Sequence, residues 1–366
     1  MEARIAIVGA GFSGAVIAHE LGMLDCEIEV FESRSHVAGN CHTVRDPQTG
    51  VMISPYGPHI FHTENERVWE YINRFGEMVP YNHKVKATVG GKVFSMPINL
   101  HTINQFYGAT FSPTQAELFV EGKCKLGNVV RNFEDQALAM VGPDLYEAFL
   151  KGYTEKQWGM NACELPASIL KRLPLRFNYN DSYFNHPHQA IPRDGYTAII
   201  ENMLKLDAIT LRLNTPFRRK DAAAFDHVFY SGPLDDWYDR CYGKLPYRTL
   251  DFILDRHKIF DAQGCPVMNY CDRHVPYTRV VEYKHFSPWD RAEGTVVVKE
   301  YSRKWEEGDV PYYPIRLAGT QEALTRYEAL AAKEERVTFV GRLGTFQYID
   351  MDVTIARALD IADEWR

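Results

Sequence analysis

Three glycines and one glutamate carry the first chemical signal in the chain. Gly9-Ala-Gly11-Phe-Ser-Gly14 follows the apolar run Arg4–Val8 and leads into a helical pattern at Val16, Ile17, Leu21 and Leu24. In that order, Gly9 permits a sharp turn, Gly11 lets a pyrophosphate approach the backbone, and Gly14 lets the helix pack close to the strand. The helix start adds free N–H groups and the positive end of its dipole. A second apolar run, Ile28–Phe31, ends in Glu32, 18 residues after Gly14. A carboxylate there can accept hydrogen bonds from ribose hydroxyls, which suits FAD or NAD over NADP.

A second set of residues suits an anionic nucleotide. Tyr153 and Trp158, Lys171-Arg172, Tyr183-Phe184, Tyr277 and Arg279, Tyr312-Tyr313 and Tyr348 lie in turn-like stretches. Two arginines can fork a diphosphate while aromatic faces hold a base. His59 and His62 stand three residues apart in Tyr56–Thr63. Zinc needs further ligands at convergent spacing, and neither His36, His42 nor the His186-Pro-His188 pair supplies them, so no metal is expected. Each histidine is then either hydrogen-bonded in a core or a contact to a flavin edge.

The elements that must position these residues change character along the chain. The first forty residues form a β-α-β unit. Lys84–Val89 and Lys92–Ser95 flank Gly90-Gly91, a loop suited to a type I′ hairpin. From about 99 to 166 the pattern is helical, with Pro143 after Gly142 placed to start a new helix. Between 245 and 314, β-branched and aromatic runs such as Tyr277–Tyr283 and Thr295–Tyr301 suggest an antiparallel sheet. Val337–Val340 is a further short strand, followed by Gly341-Arg342 and a helix from about Asp352 to Trp365.

Composition narrows the class. At 366 residues the chain exceeds one average core, and 45% hydrophobic with 24% charged residues is ordinary for a globular protein. A formal charge of −7 argues against a nucleic-acid face. No apolar stretch is long enough to span a bilayer, and no signal peptide opens the chain. Seven scattered cysteines without a C-x-x-C pair read as reduced thiols, so a soluble cytoplasmic protein is expected, with neither nucleic acid nor membrane as partner.

Taken together, the motifs resemble the UDP-galactopyranose mutase family over essentially the whole chain. In the family's order stand the glycine fingerprint, G-P-H-I-F-H-T, G-Y-T-E-K-Q-W-G, L-P-A-S-I-L-K-R-L-P, P-Y-T-R, P-Y-Y-P, G-R-L and Y-x-D-M. The resemblance implies an α/β fold: an FAD-binding Rossmann-like domain with a helical insertion and an antiparallel β-sheet domain. The expected boundaries are 1–82, 195–240 and 315–366 for the first, 98–170 for the insertion, and 83–97, 171–194 and 241–314 for the sheet.

The same resemblance implies roles. Arg172, in a segment similar to the family's mobile lid, and Arg279 would neutralise the substrate diphosphate, and His62 would lie against the isoalloxazine. Tyr153, Thr154 and Trp158 would line the uridine and phosphate side, and Phe149 with Tyr183 the base. Tyr313 and Tyr348 would bond the phosphates beside the flavin, with Asn82, Asn269, Arg342 and Asp350 as further polar lining and His59 near the sugar. The cofactor would rest on Gly9, Gly11, Phe12, Ser13, Gly14, Glu32, Gly39, Asn40, His62, Gly341, Arg342, Tyr348, Asp350 and Met351. Two departures stand out. Leu150 replaces a common second aromatic, and Ala38-Gly39-Asn40 replaces Gly-Gly-Asn, so Ala38 needs a backbone angle that alanine tolerates.

The implied reaction interconverts UDP-galactopyranose and UDP-galactofuranose. Reduced flavin N5 would attack the anomeric carbon through a flavin–sugar iminium adduct, with no net redox change. A separate reductant or NAD(P)H would reduce the FAD, and a homodimer is the family expectation. The competing readings are an amine-oxidase-like FAD oxidoreductase, a binding module without turnover, and a sibling mutase acting on UDP-N-acetylgalactosamine or a deoxysugar nucleotide.

Overall fold

The computed structural model describes residues 3–124, 129–172, 175–316 and 318–366, with the side chains of Lys171, Arg172 and Ala318 outside that description. Strand β1 (Ala3–Val8) lies at the centre of a five-stranded parallel sheet. On one side it pairs with β2 (Cys26–Phe31) and then Ile209–Arg212, on the other with His227–Tyr230 and then Val337–Phe339. Ile5, Ala6, Ile7, Ile28 and Val30 are buried, as strands covered on both faces require. Helix α1 (Phe12–Gly22) connects β1 to β2 and is buried along nearly its whole length. Its apolar residues therefore run around the helix and form no single stripe. The final helix, Met351–Asp363, packs on it through a core that includes Ile355, Ala358 and Leu359.

Because β1's neighbours on the two sides come from different parts of the chain, a crevice opens beyond its C-terminal end. Five chain segments, with His59 and Pro311, turn into this crevice, and they set the site.

The second layer is a seven-stranded sheet in the order Tyr313–Pro314, Tyr247–His257, Thr295–Lys304, Arg279–Glu282, Val267–Tyr270, Val85–Val89, Lys92–Met96. Gly90 and Gly91, at φ 55° and 75°, close the hairpin between the last two strands. The sheet was expected to be antiparallel, but Val267–Tyr270 pairs with Val85–Val89 in parallel. No hairpin turn joins the two segments there, so either direction was open to them. Part of the 171–194 segment also differs in placement. His188–Pro192 pairs with Phe61–Thr63 and Met78–Pro80 in a separate three-stranded sheet.

The helical insertion packs against the seven-stranded sheet through one continuous core. Its helix Phe133–Leu145 breaks at Gly142 (φ 74°, ψ 172°) and restarts at Pro143. A wider turn over Tyr146–Lys151 follows and runs directly into Gly152–Trp158. Among the described residues, no helix is long and apolar enough to cross a membrane.

Candidate active site

The crevice beyond β1 is an open cleft whose walls include the glycine turn, Glu32, Gly39, Asn40, residues 215–217 and 231–233, Gly341, Arg342 and Met351. Phe12 and Ser13 also line it. Two of its glycines are demanded by the protein itself. Gly9 sits at φ +99°, and a Cβ there would run into Ser231; a Cβ on Gly14 would strike the carbonyl oxygen of Gly9. Gly11 is different. Its φ is −83°, which any residue adopts, and a Cβ there would meet nothing within 4 Å. The space above Gly11 is kept clear for a ligand.

The polar groups around that space suit a dinucleotide. Gly11 begins α1 without any side-chain cap, so the first N–H groups of the helix remain available to an anion. Glu32 is fixed by the backbone N–H of Ala10 at 3.0 Å on one oxygen and that of Arg34 at 2.9 Å on the other. Arg34 donates to Asn40 at 2.9 Å and lies over the ring of Tyr56, while its Nη1 is buried without a partner. At the far end Arg342 is anchored on the carbonyls of Tyr312 and Ile349 and lies over Tyr348.

Beyond Arg342 the cleft meets a second group of side chains. His59 lines the junction. Burial first, then the nearby Arg342 guanidinium, push its imidazole down to about 4, against a carbonyl bond from Gly57. The ring is therefore neutral near pH 7. Tyr313 and Tyr348 face each other at 5.4 Å between ring centres. Tyr313 lies in the fields of Arg279 and Arg342 alike, and so does His59, which puts each within electrostatic reach of both arginines.

Arg279 begins the strand Arg279–Glu282, opposite Asn269 in register. Its Nε donates to Glu300 Oε2 at 2.6 Å. Desolvation is the largest single influence and opposes its charge, but Glu300, Tyr153 and Tyr313 together outweigh it and keep the guanidinium firmly protonated. Tyr153 lies within reach of Arg279, Tyr183 and Tyr313, and burial raises its phenol. A fixed cation beside Tyr153 and Tyr313 and within the field of the cleft-lining His59 can hold the diphosphate of a second nucleotide.

Some expected residues stand elsewhere. Phe149 is buried in an aromatic core against Phe94 and Phe106 and does not line the dinucleotide cleft. Asn82 is exposed. His62 does not line the dinucleotide cleft; it stacks on Phe184 at 3.8 Å and its Nδ1 lies 2.8 Å from that of His186. Strand pairing between Phe61–Thr63 and His188–Pro192 sets that position. Thr154 is buried, Trp158 is half-buried against the insertion core, and Asp350 stands immediately before the final helix. The side chain of Arg172 lies outside the described residues. Among the described residues, Asp261, Glu282 and His285 could present metal ligands within 4.8 Å of one another. Backbone N–H groups of 262–264 already occupy both carboxylates.

Four contributors were not foreseen: Glu300, Arg34, His83 and the loop 215–217. Glu300 had a readable signal. It shares a strand face with Val296 and Val298, and a carboxylate on an apolar face requires a buried partner. Nothing local marks Thr215, Pro216 and Phe217, which reach the cleft only because Ile209–Arg212 pairs with β2.

A family model described as UDP-galactopyranose mutase matches residues 148–348. A probable UDP-galactopyranose mutase from Klebsiella pneumoniae is 55% identical over 99% of this chain and 94% of its own length. The chain belongs to the UDP-galactopyranose mutase family. A dTDP-fucopyranose mutase from Escherichia coli is 46% identical over 98% of this chain and 97% of its own. Residues 7–75 match a model described as an NAD(P)-binding Rossmann-like domain. A crystal structure of reduced UDP-galactopyranose mutase shares the fold with a TM-score of 0.78 at 14% identity, covering 99% of this chain and 95% of that one.

Membership makes the protein a pyranose/furanose nucleotide-sugar mutase and implies a flavin cofactor. The cleft fits that group: clear space over Gly11, an uncapped helix start, an acceptor at Glu32 and a buried unpartnered nitrogen on Arg34.

Proposed function

We propose that the chain is an FAD-dependent UDP-galactopyranose mutase. The observation that carries this reading is Arg279, half-buried and braced by Glu300, within electrostatic reach of Tyr153, Tyr313 and His59, the last of which lines the dinucleotide cleft. Gly9 to Gly14 and the start of α1 would take the FAD pyrophosphate, Glu32 the ribose, and Arg342 the end nearest Tyr348. The bound, reduced flavin supplies a nucleophilic nitrogen to the anomeric carbon of the sugar. The chain's own part is charge and position. Arg279 grips the diphosphate and gains strength as that group leaves with its negative charge. Glu300 prevents the guanidinium from turning away, and Tyr313 and Tyr348 are placed to donate to phosphate oxygens. His59, neutral near pH 7, can hydrogen-bond a sugar hydroxyl without adding charge.

The test is anaerobic conversion of UDP-galactofuranose to UDP-galactopyranose, with and without dithionite, followed by chromatography. Turnover only with reduced flavin is expected. The 46% identity to a dTDP-fucopyranose mutase supports a second reading. The same assay with dTDP-fucofuranose decides between them, since conversion of the thymidine nucleotide alone removes UDP-galactose as the substrate. Arg279→Ala should lower kcat by about 10²–10³, equivalent to about 2.7–4 kcal/mol, with FAD still bound. Near-normal turnover in that variant would remove Arg279 from the reaction.

A further inference from the structure

The side chain of Lys156 ends among four backbone carbonyls of a single loop. Its Nζ lies 2.6 Å from the oxygen of Tyr270, 3.0 Å from those of Asp272 and Val275, and 3.1 Å from that of Tyr277. An ammonium has three N–H donors and no fixed plane, so it can serve such a convergent set where a flat guanidinium cannot. The loop therefore wraps around a tethered cation.

Both sides of this contact lead to the substrate cluster. On the helix Gly152–Trp158, Lys156 shares a face with Tyr153, three residues earlier. On the loop, the last caged carbonyl belongs to Tyr277. The next residue, Thr278, donates its N–H to the carbonyl of Glu300 at 2.9 Å and accepts from Tyr270 at 2.9 Å, and Arg279 follows. Two further contacts join the same helix and loop. Gly152 approaches so closely that a Cβ would run into the carbonyl of Cys271, and Arg273 pairs with Glu155 at 2.5 Å.

We propose that Lys156 is a positioning residue for Arg279: by holding the carbonyls of the 270–277 loop, it fixes the guanidinium relative to Tyr153. Without the ammonium, four carbonyl dipoles face one another, and the loop relieves that repulsion by opening, which carries Thr278 and Arg279 with it. The proposal rests on the reading of Arg279 as the diphosphate grip, so its test includes a readout that does not need the substrate.

The experiment uses the FAD-loaded full chain with Lys156→Ala and Lys156→Gln, the latter retaining a two-donor amide should the smaller residue fail to fold. Three quantities are measured: flavin content by absorbance, KM and kcat for UDP-galactofuranose under dithionite, and amide hydrogen exchange over 270–279. Expected are full flavin content, a fall in kcat/KM of about 10²-fold in which kcat falls and KM rises together, and faster exchange at Thr278 and Arg279. Methylammonium, small enough for the space left in Lys156→Ala, should restore part of the affinity.

A merely structural role would lower kcat by reducing the active fraction, leave KM unchanged and gain nothing from methylammonium; that result overturns the proposal. So does unchanged exchange at Thr278 and Arg279, or failure of both variants to fold. If the wild-type enzyme converts no UDP-sugar, the substrate reading fails by itself, and the exchange measurement still decides the role of Lys156.

Discussion

Ala38 holds a left-handed backbone, φ 72° and ψ 4°, while its side chain is buried. The loop imposes this angle: the N–H of Ala38 is tied to the carbonyl of Ala10, and Cys41 bonds back to Ala38. A non-glycine residue there carries about 1 kcal/mol of strain. Ala38→Gly should therefore stabilise the protein by about 0.5 kcal/mol after the greater freedom of an unfolded glycine is subtracted, read as a higher thermal midpoint. A lower midpoint would show that the methyl group's packing outweighs its strain. An alanine-tolerated angle was expected from the sequence, and it is not what the loop adopts. The hydrogen bond from Ala38 to Ala10 that helps decide it joins residues 28 apart. His83 belongs to the same scale. Burial, then Arg279, then His62 push its imidazole down to about 3. Because the unfolded chain takes up this proton first as pH falls, stability is lost from about pH 6.5 downward and levels off near 3. Urea midpoints at pH 7, 5 and 4 should fall in step, and His83→Asn should flatten that slope.

At the scale of elements, Gly11 and Gly14 separate what the ligand requires from what the fold requires. Gly14→Ala forces β1 and α1 apart, because the new Cβ would overlap the Gly9 carbonyl, and should cost about 1–3 kcal/mol of stability with or without flavin. Gly11→Ala meets no protein atom and has an ordinary φ, so the flavin-free protein should keep its stability within about 0.5 kcal/mol. Its FAD affinity should nevertheless fall by at least about tenfold, or 1.4 kcal/mol. Equilibrium dialysis and urea denaturation of the two variants check both halves. These elements were legible because a β-α-β unit is local: strand, turn and helix are written in consecutive residues. The break at Gly142-Pro143 and the hairpin at Gly90-Gly91 were legible for the same reason. The parallel pairing of Val267–Tyr270 with Val85–Val89, and the cleft loop at 215–217, depend on partners more than 170 residues away. Local periodicity carries no information about those.

For the molecule as a whole, the cleft is a seam between distant parts of the chain: residues drawn from the segments 8–14, 31–41, 215–217, 230–233 and 341–354, with His59 and Pro311, line it. A ligand across such a seam stabilises every segment it touches. With free FAD at about a thousandfold above its dissociation constant, the gain is about 4 kcal/mol, and calorimetry of flavin-free and flavin-loaded protein should show the difference. Equal midpoints would mean that the flavin does not cross the seam. The family resemblance reached this scale because its first and last motifs, the glycine fingerprint at one end and G-R-L with Y-x-D-M at the other, lie in segments on opposite sides of the seam. Where the local pattern alone was used, it identified the pieces without their arrangement. The strand order of the parallel sheet also governs how the enzyme is made. Its central strand is synthesised well before its partner His227–Tyr230, and Val337–Phe339 with Arg342 follows later still. At about 5–20 residues per second, a ribosome needs roughly 10–45 s to pass from β1 to His227. Throughout that time the exposed edge of β1 waits on the nascent chain for its partner. Flavin loading therefore follows the synthesis of Arg342, and a chain stopped before Val337 would be a client for chaperones, not a smaller flavoprotein.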